Sequence, residues 1–289
     1  MRGSLTTRLC LLTGALVVIG MMIHAFGAAT IDHATITEVV HDVSILDPNS
    51  RKASPAEVSG VFEVPQIMKT GGDSRSEMIS TDRTITRVGA DTLFSFEPRS
   101  RTINLQEGSL LFQSQPGNGG GTIRTAAVTA AVLGTTIIVA ATKDGGFKLL
   151  VLEGTGYVRM PNGKHATVHA GQMIFVPPGG ETLGPVLEFR LLDEVATSDL
   201  VMGFKTRLPS WRKIQREILL QEKLIAEGEY LAPGLVVGGI IDPNTRINGT
   251  RPHPTPPQQR HIFTTTIITV IPPKPPPGGG GSPPPSGGP

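Results

Sequence analysis

Residues 115–136, QPGNGGGTIRTAAVTAAVLGTT, decide between two fold classes, because a glycine-rich turn that runs into an alanine-rich segment has the outline of a nucleotide-binding loop. The dinucleotide fingerprint requires glycines at its first, third and sixth positions. Counting from Gly117 puts Thr122 at the sixth position, and counting from Gly119 puts Arg124 there. No Gly-Lys-Ser/Thr sequence follows that could form a phosphate loop. The stretch therefore predicts no nucleotide site.

The segment after the glycines is rich in threonine, valine and isoleucine, which favour strands over helices. It predicts a strand, a tight turn at Gly134 and a second strand. The sequence GNGGG (residues 117–121) is then a flexible connection that does not cradle an anion. A helix over Thr125–Leu133 would contradict this interpretation.

The same pattern extends outward from this stretch, since short apolar and β-branched runs broken by turn residues continue from Ile36 to about Asp193. The sequence GYVRMPNGKHATVHAGQMIFVPPGG (residues 156–180) predicts a hairpin with a two-residue turn at Asn162-Gly163, where both residues take positive φ. The next strand should end near Val176, because the prolines after it cannot donate to a ladder. The predicted fold class is all-β, a sandwich or jelly-roll-like domain over residues 36–193.

Two segments, LQEGSLLF and LVLEGTGYV, weakly resemble each other, and we call this internal similarity the sequence echo. Glu107-Gly108 and Glu153-Gly154 each follow an apolar strand and precede a small hydroxyl residue. Glycine lets the backbone turn where a side chain would be strained. We expect both glycines to serve turns and both glutamates to lie on the turn surface, without a catalytic role.

The spacing of the histidines, serines and carboxylates does not fit a metal site or a catalytic site. His165 and His169 flank ATV, but on a strand they would lie roughly 13 Å apart, too far to bind one ion at about 2 Å each. No serine stands in a Gly-x-Ser-x-Gly elbow, and no close carboxylate pair can be recognised. We therefore predict no catalytic, cofactor-binding or metal-binding residues, and no enzymatic activity.

The apolar period changes to 3.6 after Ser198, which predicts a helical segment over residues 198–229. Two short helices should be broken at Pro209, with a stop at Gly228. The second helix carries an apolar stripe made of Trp211, Ile214, Ile218 and Ile225. Such a stripe more often packs on its own domain than on a partner, and both alternatives stay open.

Proline accounts for 14 of the last 48 residues, so residues 242–289 predict a disordered Pro/Gly-rich tail. The β-prone run IFTTTIITVI within this tail could add as an edge strand to the domain or to a partner.

Residues 1–29 have the organisation of a signal peptide: Arg2 and Arg8 precede the apolar run of 15 residues from Leu9 to Ile23, and small residues follow. The run is shorter than the roughly 20 residues of a membrane-spanning helix. Cleavage is therefore favoured over an uncleaved anchor, and such an anchor would be the only membrane contact expected.

Charge and cysteine content exclude several classes of protein. Cleavage would remove two of the 26 basic residues and none of the 24 acidic ones, which leaves a formally neutral chain. A neutral chain with 13 aromatic residues favours no nucleic-acid partner. The only cysteine, Cys10, lies within the leader, so no disulfide should support the domain.

The span from Ile36 to Asp193 resembles the FecR domain, the periplasmic part of iron-dicitrate sensor proteins. The resemblance is carried by MKTGGDSRSEM, TITRVGADTLFSF, INLQEGSLLFQ, VLGTTIIV, LLVLEGTGYVRMPNG and HAGQMIFVPPGG in this order. The residues that match the family pattern, for which backbone geometry is a sufficient reason, are Gly134, Thr135, Gly154, Asn162, Gly163, Gly171 and Gln172. No ligand residue is carried over.

The resemblance implies a non-enzymatic, extracytoplasmic β domain. Sensors of the family also carry a cytoplasmic segment that controls a sigma factor. Only eight residues precede the apolar run here, so we expect a secreted form without that segment. The favoured function is a cell-envelope binding or scaffold module, whose partner is an envelope protein or polysaccharide. The alternative is a ligand or iron-uptake-related sensor that acts through a separate membrane partner, and an enzyme is least favoured.

Cleavage of the leader is directly testable. Intact-mass analysis of the exported protein should find a new N-terminus between Ala28 and Thr30, because the small residues that signal peptidase prefers lie there. Mature protein that still begins at Met1 and stays with the membrane would show an anchor instead.

Overall fold

The computed structural model describes residues 29–227. The apolar leader, the predicted helix stop at Gly228 and the whole proline-rich tail lie outside the described residues. Within residues 29–227, no helix is both long and apolar enough to cross a membrane.

The described chain is built of short strands followed by three helices. The strands are β1 (His33–Val40), β2 (Val43–Asp47), β3 (Lys52–Pro55), β4 (Val61–Glu63), β5 (Ile67–Thr70), β6 (Arg75–Ser80), β7 (Ile85–Val88), β8 (Leu93–Phe96), β9 (Thr102–Gln113), β10 (Gly121–Arg124), β11 (Thr129–Val132), β12 (Thr136–Ala141), β13 (Phe147–Glu153), β14 (Thr155–Arg159), β15 (His165–His169), β16 (Gln172–Val176) and β17 (Leu187–Glu188). The helices are α1 (Leu191–Thr197), α2 (Asp199–Met202) and α3 (Trp211–Ala226).

The strands form two layers that share β9. Sheet A has the order β4-β1-β6-β7-β9-β12-β13-β16-β17. Sheet B has the order β3-β2-β5-β8-β9-β10-β11-β14-β15. The pair β9–β10 is parallel and the other pairs are antiparallel. The prediction of an all-β sandwich is confirmed.

Strand β9 passes from one layer to the other at Gly108. Its first half pairs with β8 and β10 in sheet B, and residues 108–113 pair with β12 in sheet A. Gly108 has φ 91°, and a Cβ atom there would lie 2.2 Å from Thr92 Oγ1 and 2.3 Å from Thr92 Cα. The same Thr92 hydroxyl oxygen accepts the backbone N–H of Ser109 at 2.9 Å. Only glycine therefore fits where the strand crosses.

The two sheets bury their inner faces against each other. Alternate residues of sheet A, such as Phe112 and Ile137, share one core with alternate residues of sheet B, such as Ile123 and Val158. A Cβ atom on Gly121 would lie 2.3 Å from the Phe112 ring, so the layers touch at this glycine.

The opening stretch of residues 115–136 contains no helix. It forms the hairpin β10–β11 in sheet B, turns at Gly134 with φ 66°, and enters β12 in sheet A. The preference for strands is confirmed, with two strands before the turn in place of the predicted one. The glycine run is more than a flexible connection, because Gly120 and Gly121 are buried and a Cβ atom on Gly120 would lie 1.8 Å from the Val132 carbonyl oxygen.

The hairpin β14–β15 forms as predicted, but its turn differs. Gly163 takes φ 87°, whereas Asn162 is not among the positive-φ residues of the described chain. The Gly163 N–H donates to the Met160 carbonyl at 3.0 Å, and the Met160 N–H donates to Lys164 at 2.8 Å. The prediction of positive φ at both positions is wrong because Pro161 fixes a negative φ and favours a type I turn followed by glycine.

The helices cover the outer face of sheet A. Leu111, Ile138 and Leu150 point away from the inner core and pack with Leu200 and Ile214. The central strands β12 and β13 of sheet A are therefore buried on both faces, which explains why most of their residues are apolar. The second cluster also includes Ile85, Leu152, Met173, Phe189, Leu191, Val195, Val201 and Leu208.

Two element boundaries predicted from the sequence are wrong, and packing of the helices on sheet A explains why. Strand was predicted through LEFRLL to Asp193, but the last strand ends at Glu188 and α1 begins at Leu191. Leu191 and Val195 are buried against sheet A, so the packing of one helical face decides the local structure. The first predicted helix is helical only from Asp199 to Met202, whereas α3 confirms the second, with Ile214 fully buried.

Arg87 connects α2 and the segment that follows it to sheet A. Its side chain is fully buried, and its Nε donates to Glu77 Oε2 at 2.8 Å. One terminal nitrogen donates to the carbonyls of Leu200 and Val201 at 3.1 and 2.9 Å, and the other donates to the Thr206 carbonyl. The guanidinium also lies 4.5 Å from the centre of the Phe204 ring, so one cation joins β6, β7 and the helical segment.

The role of Gly108 can be tested against a glycine with the same backbone angle. Gly117 also has φ 91°, but nothing lies within 4 Å of a Cβ atom placed there. Gly108→Ala should lower the free energy of unfolding by about 3 kcal/mol or more, because strain and a backbone clash combine. Gly117→Ala should cost about 1 kcal/mol from strain alone. Equal losses in urea unfolding would show that Gly108 does not direct the crossing.

Candidate binding face

The outer face of sheet B differs from that of sheet A because its outward side chains stay accessible. In β10, β11, β14 and β15 these side chains are exposed or half-buried, while the inward ones are buried, except for the half-buried Ala166. We call this surface the open face. It comprises Thr122, Arg124, Thr129, Ala131, Thr155, Tyr157, Arg159, His165, Thr167 and His169.

Strand register aligns the cationic residues of the open face in one row. Arg124 stands opposite Thr129, Thr129 opposite Arg159, and Arg159 opposite His165. Because adjacent strands lie about 4.8 Å apart, the two arginines are about 10 Å apart across the sheet. The row crosses all four strands of the open face.

The open face carries no acidic side chain among its ten residues. Arg124 donates to Glu97 Oε1 at 2.8 Å from the neighbouring loop, and this hydrogen bond lowers the pKa of Glu97. Arg159 makes no ion pair with any other residue of the described chain. An exposed ion pair is worth at most about 1 kcal/mol, so Arg124 can exchange Glu97 for an external anion.

Aromatic and hydroxyl groups lie beside the arginine row. The Tyr157 ring is 40% exposed, and its centre lies 5.5 Å from that of the His165 ring. His169 Nδ1 and the Thr155 hydroxyl are 3.2 Å apart. The open face can therefore offer charge, hydrogen bonds and a ring surface to a ligand, which is the chemistry of binding.

The first group of family-pattern residues shapes the backbone where the chain changes sheets. Gly134 and Gly154 both take positive φ, at 66° and 82°. A Cβ atom on Gly154 would lie 2.6 Å from Thr135 Cγ2. Thr135 is fully buried, and its hydroxyl has no hydrogen-bond partner among the described residues.

The second group supports the strands of the open face from their ends. Asn162 donates to the Glu181 carbonyl at 2.9 Å and accepts the Lys164 N–H at 3.1 Å. Gln172 accepts the His169 N–H at 3.0 Å and donates to Glu188 at 2.7 Å. Gly163 and Gly171 supply the positive φ of the two turns that flank β15. None of the seven pattern residues belongs to the open face itself.

His165 and His169 occupy opposite ends of β15, paired with Arg159 and Thr155. They point to the same side of the sheet with Thr167 between them. Among residues 29–227, no group of three or more potential ligands is placed to hold a metal ion.

The two glutamates of the sequence echo have different environments. Glu107 is half-buried and pairs with Lys143 at 3.1 Å. Glu153 is only 4% exposed, so its prediction as turn surface is wrong. The reason is α3, whose first turn covers the end of β13: the Thr136 hydroxyl donates to Glu153 at 2.9 Å and lies 2.7 Å from the Ser210 hydroxyl. Both glycines of the echo take positive φ. Gly154 lies in the predicted turn, between β13 and β14, whereas Gly108 lies within the continuous strand β9, where the strand crosses between the sheets.

Burial raises the pKa of Glu153. The hydrogen bond from Thr136 and the charge of Lys213, whose Nζ lies 3.9 Å from Oε2, act in the opposite direction. For this carboxylate, burial outweighs the two contacts that favour its charged form, and the group is not accessible to a substrate.

A shallow cleft of about 420 Å³ lies between sheet A and the segment after α2. Two of its charged side chains are already bonded to the backbone after α2. Arg75 Nε donates to the Gly203 carbonyl at 2.9 Å, and Glu38 accepts the Lys205 N–H at 3.1 Å. This cleft offers a ligand fewer free groups than the open face does.

Sequence reasoning missed Arg124, Arg159 and Tyr157 as a group. The alternation within GTIR and TGYVR places them on one side of each strand. It does not reveal that β11 pairs with β14, the contact that brings the two arginines into one row.

Comparisons with known proteins agree with the sequence resemblance over part of the chain. Residues 66–155, from the start of β5 to the start of β14, match the model of the FecR protein family. None of the curated proteins matches the chain. Two crystal structures of a protein described as an anti-sigma factor from Parabacteroides distasonis ATCC 8503 are similar at 21% and 20% identity, each with a TM-score of 0.36. The similarity covers 42% of this chain and 58% of that one.

The buried carboxylate gives a pH-dependent prediction. Because the folded-state pKa of Glu153 is raised, its ionisation costs stability above that pKa, and the cost vanishes below the ordinary glutamate pKa. Glu153→Gln should therefore raise the free energy of unfolding at pH 7, with a smaller gain at pH 4. Urea unfolding of the parent and the variant at pH 7 and at pH 4 measures these differences in the free energy of unfolding.

Glu107→Gln is the matched control, since the half-exposed Glu107 occupies the equivalent position of the echo. It should change stability by less than about 1 kcal/mol at either pH. A Glu153→Gln protein that is less stable than the parent at pH 7 would show that the pair with Lys213 outweighs burial.

Proposed function

We propose that the protein is a non-enzymatic, extracytoplasmic binding or scaffold module of the cell envelope, and that it binds through the open face. One observation carries the proposal: the chain covers the outer face of sheet A with its own helices but leaves nine polar, cationic or aromatic side chains accessible on sheet B. A solvated polar face is common in antiparallel sheets. The features that favour binding are the arginine row without acidic residues among its neighbours on the face and the exposed Tyr157 ring beside it.

The family match supports both the extracytoplasmic location and the non-enzymatic role that we propose. The FecR domain is the periplasmic part of its sensor proteins, and the matched residues 66–155 include the central strands of both sheets. A fold alone does not determine function, so the chemistry of the surface has to carry the assignment. The open face provides cations and hydroxyls. Its one hydroxyl beside an imidazole, Thr155 with His169, is exposed, and no described residue orients the ring as the third member of a catalytic triad would.

The partner we infer is an envelope protein or polysaccharide with negative charge at its surface. Arginines about 10 Å apart favour a partner with repeated anionic groups, and the exposed Tyr157 ring can lie against an apolar part of it. Neither a nucleic acid nor a nucleotide is expected, since the formal charge is near neutral and the glycine-rich stretch forms sheet structure.

The second candidate is a sensor of a ligand or of iron uptake that acts through a separate membrane partner. The family match at residues 66–155 favours it. Reproducible capture of an outer-membrane transporter from the native envelope would support the sensor. Capture of polysaccharide or matrix protein would support the scaffold. In both cases the proline-rich tail would act as a spacer or docking strip.

The open face can be tested by removing its charge without altering its strands. Protein purified from the extracytoplasmic fraction is sedimented with a delipidated preparation of the native envelope. Arg124→Gln combined with Arg159→Gln should weaken binding about tenfold, because two charge-assisted contacts are lost. The control is Lys69→Gln, an exposed cation on the same side of sheet B in β5. Equal binding by parent, double variant and control would refute the assignment of this face.

A further inference from the structure

The solvent-facing side of α3 is a second accessible surface, on the opposite side of the sandwich. Ile214 and Gln221 bury the inner side of this helix, while Leu219 and Leu220 are 71% and 53% exposed. The helical period places three cations on the same outer side as these leucines. We call this surface the helix crest; it consists of Arg212, Arg216, Leu219, Leu220 and Lys223.

The positive charge of the helix crest is little neutralised by the chain. Arg212 and Arg216 make no ion pair with other described residues. Lys223 has one acidic neighbour, Glu227, at 3.7 Å, and both side chains of that pair are exposed. Glu222, which flanks the crest, is held by Arg190 at 2.7 Å. The crest therefore presents cations next to two leucines that contribute nothing to the core.

We propose that the helix crest docks onto an anionic phospholipid bilayer, with α3 lying parallel to the membrane surface. Basic residues beside exposed leucines on one helix side are the chemistry of an interfacial helix: the cations contact lipid phosphates while the leucines enter the acyl boundary. The inner side of α3 stays packed on sheet A, so only the outer side enters the interface.

A bilayer fits the crest better than a protein partner does. A standard protein interface uses roughly 20 to 30 residues a side, far more than the crest offers. The crest is a convex ridge of five residues, three of them cationic. A soft, planar and negatively charged surface can contact all five at once.

Docking at the helix crest would orient the whole domain. The crest lies outside sheet A, and the open face lies outside sheet B. A domain that rests on a bilayer through α3 would therefore direct the open face away from the membrane. The membrane contact does not depend on the function proposed for the open face, because it rests on different residues.

The proposal is tested with the full chain and a fluorescent reporter of local polarity. The single native cysteine is removed by Cys10→Ser, and the reporter is attached through Gln215→Cys, an exposed position beside the crest that keeps both leucines. Vesicles of phosphatidylcholine containing phosphatidylglycerol should shift the emission to the blue. Arg212→Gln combined with Arg216→Gln should raise the lipid concentration for half-maximal shift on the order of 30-fold, about fivefold for each cation.

Matched controls separate the crest from the N-terminal apolar segment, which is present in every variant. A reporter attached through Thr167→Cys on the open face should not respond, since that face points away from the bilayer. Thermal unfolding should be the same for the parent and the double glutamine variant. The proposal fails if the reporter at position 215 ignores anionic vesicles, responds equally to phosphatidylcholine alone, or responds no more than the reporter at position 167.

Discussion

A single buried guanidinium, that of Arg87, decides which face of the sandwich remains available. It lies on the outer side of sheet A, where burial lowers its pKa and the charge of Glu77 acts against that shift. Three backbone carbonyls of residues 200–206 complete its hydrogen bonds. Removing that segment would leave a buried charge without its partners, a cost of several kcal/mol. The helical cover is therefore part of the domain.

The functional asymmetry of the molecule follows from this constraint. The central strands β12 and β13 of sheet A are buried on both sides because one side meets the inner core and the other meets the helices. Strands β14 and β15 of sheet B alternate instead, with buried residues inside and polar residues outside. Two accessible surfaces result, the open face and the helix crest, on opposite sides of one rigid body. The proposed envelope binding and the inferred membrane contact each use one of them.

Local patterns were sufficient to predict much of the fold. Alternation, turn residues and the change to a 3.6 period gave the all-β class, the hairpin β14–β15 and helix α3. Contacts between residues far apart in sequence were not predictable: the bond from Arg87 to the Leu200 carbonyl spans 113 residues, and the burial of Glu153 depends on α3. The open face was missed for the same reason, since its two arginines meet only through the pairing of β11 with β14. Thr135 and Gly154 were recognisable as pattern residues, but their contact was not.

The central claim is that the open face, and not the helical cover, contacts the envelope partner. Hydroxyl-radical footprinting of the purified protein, with and without a delipidated envelope preparation, measures this residue by residue. We expect Tyr157, His165 and His169 to become protected from oxidation, while Trp211 and Leu219 on α3 react as they do in the free protein. Protection confined to α3, or unchanged reactivity on the open face when the protein is bound, would contradict it.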